Sequence, residues 1–170
     1  MDAVCRRLVH DLGEALRAHG WRLATAESCT GGLLASTLTD VPGSSEWFEG
    51  GVVAYDNRVK ICLLSVDQDL LLGHGAVSRD CVEAMVRGLC RLLDVAVGLA
   101  ISGIAGPSGG SSEKPVGTVW IACSLNGRVS SKVHHFAGDR LAIKEQSALT
   151  AVAELLDRMM KKGASESNAP

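Results

Sequence analysis

The sequence predicts an α/β fold: a single three-layer α/β/α domain on a mixed, mostly parallel sheet. Three observations predict it. Hydrophobic residues alternate along the chain between helical and strand periodicity. Residues 95–101 are almost wholly apolar, which suits a strand covered on both faces. Asn126-Gly127 separates two strand-like stretches and marks a tight hairpin, so part of the sheet is antiparallel.

The elements follow in order. Val4, Leu8, Leu12, Ala15 and Leu16 recur at helical spacing, and Gly20 supplies a stop. Residues 21–26 read as a strand. The turn at 27–32 opens a short helix over 33–38, a loop occupies 41–45, and residues 51–55 read as a second strand. Asp56 or Asn57 caps a helix carrying Val59, Lys60, Leu63 and Leu64. His74 falls in a loop. Ser78 caps the next helix, where Val82, Met85, Val86, Leu89 and Leu93 form one apolar stripe. A glycine- and serine-rich loop at 104–113 follows the buried strand. Strands at 116–125 and 129–136 form the hairpin, and a last helix begins near Asp139 with Ala148, Val152, Leu155, Leu156 and Met159 on one face. The end of the chain from 161 is polar and reads as frayed. One domain over 1–162 and a disordered tail over 163–170 are expected.

Composition narrows the class. A chain of 170 residues suits one domain, and at that size folding buries about 70% of the unfolded surface. A net charge of −2 leaves no broad basic face, which excludes nucleic acid as the main partner. It leaves room for a pocket that holds one phosphate. The six cysteines form no Cys-x-x-Cys pair and lie mostly in apolar runs, which implies free thiols in a reducing compartment. The charged start lacks the apolar core of a signal peptide, and no stretch reaches the roughly 18 apolar residues of a membrane span. A cytoplasmic protein with no membrane partner is expected.

Three loops combine small and polar residues near expected strand ends, where open α/β sheets bind ligands. The first, 27–32, holds Glu27, Ser28, Cys29, Thr30, Gly31 and Gly32. It reads either as an anion site on a helix start or as simple capping. The second starts at Ser102 and Gly103 and continues through Gly106 and Gly109, as a ligand loop or a surface crossover. The third offers Ser44, Ser45, Tyr55 and Lys60. A serine becomes a nucleophile when a base takes its proton, and a desolvated lysine can be that base. Surface residues would give the same pattern. His134 and His135 alternate across a strand, and no histidine or cysteine cluster has ligand spacing, so no metal site is expected.

Ordered blocks then carry a family resemblance: Ala26-Glu27-Ser28-Cys29-Thr30-Gly31-Gly32, Pro42-Gly43-Ser44-Ser45, Gly50-Gly51-Val52-Val53-Ala54-Tyr55, Gly75-Ala76-Val77-Ser78, Gly103-Ile104-Ala105-Gly106-Pro107, residues 113–119, and Gly138-Asp139-Arg140. Together they resemble the C-terminal domain of the CinA (competence/damage-inducible) family over nearly the whole chain. The family includes nicotinamide mononucleotide deamidases, which release ammonia and nicotinic acid mononucleotide in pyridine nucleotide salvage. The resemblance implies a Ser–Lys amidase without metal or cofactor, with Ser45 as nucleophile, Lys60 as base and Tyr55 assisting. It also matches Ser28, Ser102 and Arg140 to the pocket. With these go Thr30, Gly31, Gly32, Gly103 and Gly106 as substrate-binding positions on the glycine loops. Ser102 replaces the family's usual threonine, and Asp56 a common serine. A silent nucleotide-binding module and an amidase for another pyridine amide are the alternative readings. A small nucleotide is the expected partner, and an apolar helix face would suit a homodimer or higher homo-oligomer.

Overall fold

The computed structural model describes residues 2–166, with side chains through Lys161. Helix α1 (Ala3–His19) is capped by Asp2, whose side chain accepts from the Cys5 N–H, and ends at Gly20 in the left-handed region. It is followed by β1 (Leu23–Glu27), α2 (Leu33–Thr39), a 3-10 turn (Ser44–Glu46) and β2 (Phe48–Val53). Next come α3 (Asn57–Leu64), α4 (Gln68–His74), α5 (Arg79–Leu93), β3 (Val97–Gly103), β4 (Thr118–Leu125), β5 (Arg128–His135) and α6 (Arg140–Glu166). Asp56 and Ser78 cap α3 and α5 with their side chains. Helix α4, seven residues capped by Asp67, lies where the sequence reading has a loop, and His74 is its last residue. So short a helix shows too few apolar repeats to be read by periodicity.

The strands form one open sheet in the order β2-β1-β3-β4-β5. Strands β2, β1 and β3 are parallel, whereas β3–β4 and β4–β5 are antiparallel. The sheet is therefore mixed, with four strands running the same way and β4 alone opposed to them. No helix separates β3 from β4, so β4 returns antiparallel, and the Asn126-Gly127 hairpin then adds β5.

Helices cover both faces. On one, Leu23, Leu99, Ile101, Val119 and Ile121 meet the apolar stripes of α1, α2 and α6. On the other, the sheet contributes Ala24, Ala26, Ala100 and Ala122, against α3 and α5. The small side chains let α5 come close. The approach is tight enough that a Cβ on Gly88 would lie 1.7 Å from the Leu64 carbonyl oxygen, so only glycine fits where α5 crosses the end of α3. That crossing fixes the helix carrying Lys60. Helix α6 continues to Glu166, past the point where the sequence reads as frayed; residues 167–170 of the expected tail lie outside the described residues. Among the described residues no helix is long and apolar enough to cross a membrane.

Candidate active site

The chain leaves β1 for β2 on one side and then crosses back to place β3 on the other side of β1. The connections part at the carboxyl ends of β1 and β3, and such a switch point opens a crevice. Ser28 follows β1 there, its N–H donating to the Ile101 carbonyl at 2.9 Å. Alternation along the strand decides which groups face which layer. Ala24 and Ala26 face α3 and α5, and Ser28 continues their parity. Glu27 has the opposite parity and faces α2. Ala100 faces α3 and α5 from β3, and Ser102 continues that series, its hydroxyl donating to the Ala76 carbonyl at 2.7 Å.

Lys60 lies on this α3 side. Only 1% of it is exposed, and its Nζ donates to the Tyr55 carbonyl at 3.1 Å. Burial pushes its pKa below the ordinary lysine range, with Cys81, Asp56 and Cys29 pulling weakly the other way. A lysine held this way can lose its proton and act as a base. The Tyr55 side chain is 58% exposed, and its hydroxyl accepts from Arg140 Nη2 at 3.0 Å. Arg140 Nη1 also donates to the Gly106 carbonyl at 2.6 Å, which joins α6, the β3 loop and the end of β2.

Ser28, Cys29, Tyr55, Gly103, Gly106 and Arg140, among others, line a cleft of about 330 Å³. Ala105, Gly106, Ser108 and Gly109 also line the cleft, and their N–H groups have no acceptor among the described residues. The Ser28 hydroxyl likewise has no hydrogen bond among the described residues. The Thr30 hydroxyl is buried without a partner. Cys29 is buried, and desolvation raises its thiol to about 11, so it stays protonated at neutral pH.

Two expectations change. Ser45 does not join Lys60 within one chain. It is exposed in the 3-10 turn before β2, and its carbonyl accepts from Arg22 Nη2 at 3.3 Å, just ahead of β1. Tyr55 and Lys60 follow the far end of β2. At about 3.3 Å per strand residue, the length of β2 sets them roughly 20 Å from Ser45. The serines and the lysine are close in sequence, but the strand between them carries the chain from one end of the sheet to the other. The amides of Gly31 and Gly32 are also not open to a substrate anion. Gly31 N–H donates to the Ser28 carbonyl, and the Glu27 carboxylate takes the N–H groups of Gly32, Leu34 and Ala35 at 2.8–3.0 Å. The protein's own buried carboxylate fills the start of α2. Sequence reasoning missed this role of Glu27; its signal is a lone acid just before a Gly-Gly helix start.

The model of the CinA C-terminal domain matches residues 6–159. The chain belongs to the CinA C-terminal domain family. It is 45% identical over 152 residues to a nicotinamide-nucleotide amidohydrolase PncC of Enterobacter agglomerans, covering 89% of this chain and 93% of that protein. It is 49% identical over 149 residues to a CinA-like protein of Syntrophobacter fumaroxidans, covering 88% of this chain but 35% of that longer protein. A crystal structure of a CinA superfamily protein from Klebsiella pneumoniae superposes with a TM-score of 0.89 at 38% identity, covering 92% of this chain and 98% of that one. The likeness therefore extends over nearly the whole chain, in sequence and in fold.

Proposed function

We propose that this protein is an amidase that hydrolyses the carboxamide of nicotinamide mononucleotide, with Ser28 as nucleophile and Lys60 as base. The name of the Enterobacter relative supports the substrate. The observation that carries the chemistry is that Ser28 directly follows β1 at the carboxyl end of the parallel strands, and its neighbour Cys29 is near enough to act on the charge of the buried Lys60.

The mechanism follows from those groups. Lys60, neutral before the reaction, takes the Ser28 proton as the oxygen attacks the carboxamide carbon. The carbonyl oxygen becomes an oxyanion, and the unpaired N–H groups of the loop after β3 can hold it. The C–N bond then breaks. Lys60 returns its proton to the leaving nitrogen, and ammonia departs. Water next attacks the Ser28 ester with Lys60 again as base, which releases nicotinic acid mononucleotide. The Tyr55 carbonyl positions Lys60, while Arg140 orients the Tyr55 hydroxyl at the mouth. No step draws on a metal or cofactor.

Ammonia release from nicotinamide mononucleotide by the purified chain tests the activity. S28A should lower kcat at least ~100-fold, the scale for removing a nucleophile or its base. S45A should keep most of the turnover. The reverse result would return the nucleophile to Ser45 and require a second copy to bring it to Lys60. Absence of ammonia from the parent protein would refute the amidase reading.

A further inference from the structure

We infer that Lys144 and Arg140 together form the site that reads the phosphate of the substrate, and that Lys144 sets the preference for a phosphomonoester. This rests on the nucleotide-amidase reading. Lys144 lies one helical turn beyond Arg140 on α6, so both side chains leave the same face of the helix. It is half-buried, and its Nζ reaches across to the first loop, where a Cβ on Gly31 would lie 3.9 Å from it. Arg140 lines the cleft itself. Both positive charges act on the Cys29 thiol at the cleft wall and oppose the rise that burial causes. Their fields converge there.

Neither cation has a carboxylate partner among the described residues, whereas Arg7, Arg17, Arg22 and Arg87 each pair with one. Like charges one turn apart repel, and the first turns of a helix disfavour cations. A phosphomonoester, carrying close to two negative charges at neutral pH, relieves both effects. The usual alternative, backbone N–H groups at a helix start, is closed because Glu27 already occupies those of α2. A phosphate between Arg140 and Lys144 would leave the pyridine ring to extend into the cleft toward Ser28.

The test compares K144Q with the parent protein, and R128Q serves as a control. Arg128 is exposed at the hairpin, opposite the start of β3 and thus at the other end of the sheet. Steady-state kcat/KM is measured on nicotinamide mononucleotide and on its riboside, and calorimetry measures binding of ribose 5-phosphate. K144Q should reduce the mononucleotide-over-riboside preference by about tenfold, as expected for one charge-assisted hydrogen bond. It should weaken ribose 5-phosphate binding similarly, and R128Q should do neither. An equal fall on both substrates, or unchanged ribose 5-phosphate binding, would overturn the assignment. If the parent hydrolyses neither substrate, the amidase reading fails, yet the calorimetric arm still decides the phosphate site.

Discussion

Replacing Lys60 by methionine should make the protein more stable while stopping its chemistry, because this lysine is kept buried at a cost. Only 1% of the side chain is exposed, and its one hydrogen bond runs to the Tyr55 carbonyl. Replacing buried ion pairs with apolar groups of similar volume is neutral or stabilising by about 1–4 kcal/mol, and a lone buried amine bears a like cost, either of desolvating its charge or of giving up its proton. The lost hydrogen bond offsets about 1 kcal/mol of that. At about 2–4 °C per kcal/mol for a chain of this size, K60M should melt a few degrees higher at pH 7. The sign with pH follows from the lowered pKa. Between the folded pKa and the ordinary 10.5, the unfolded chain holds a proton that the folded one lacks, so the parent gains stability as pH rises through that window. The advantage of K60M is therefore present at neutral pH and fades by about pH 10.5–11. Thermal unfolding of both proteins at pH 7 and pH 11, with ammonia release at pH 7, checks this. A lower Tm for K60M at pH 7 would make Lys60 a structural tie. An advantage equal at both pH values would refute the desolvation argument, and retained turnover would remove Lys60 as the base.

Two further changes probe the first loop. Glu27→Gln leaves one acceptor oxygen, and an NH2 group, facing three N–H donors of α2; it should lower unfolding stability by about 2–4 kcal/mol in urea, as for the loss of charged hydrogen bonds, and unchanged stability would mean that water replaces the carboxylate. Cys29→Ala should keep most of the turnover, and iodoacetamide at pH 8 should leave the parent active, because a thiol titrating near 11 presents little thiolate; a collapse of kcat with the fold intact would make Cys29 the nucleophile.

Much of the architecture is legible in the residues. The stripe on α5, the apolar run of β3 and the Asn-Gly turn each report a local period or a backbone conformation, and local physics sets those. The caps Asp56 and Ser78 stand where helix starts need side-chain acceptors. Strand β2 is harder to place. It begins at Phe48, before the reading from residue 51, because a glycine pair interrupts its apolar alternation and it lies at the sheet edge.

The sequence by itself determined which residue types are available: a hydroxyl in a glycine turn, a lysine on a short helix, an arginine at the start of the last helix, and loops free of metal-ligand spacing. Only the tertiary structure decided which of them meet. Ser45 and Lys60, fifteen positions apart, lie at opposite ends of the sheet because β2 runs between them. Ser28 and Ser102 lie far apart in the chain but come to one edge, since the parallel β1 and β3 end there, and Arg140 reaches it from the start of α6 through the Gly106 carbonyl. Distance along the chain carries no such information. Strand direction does, and pairing across the whole domain sets it.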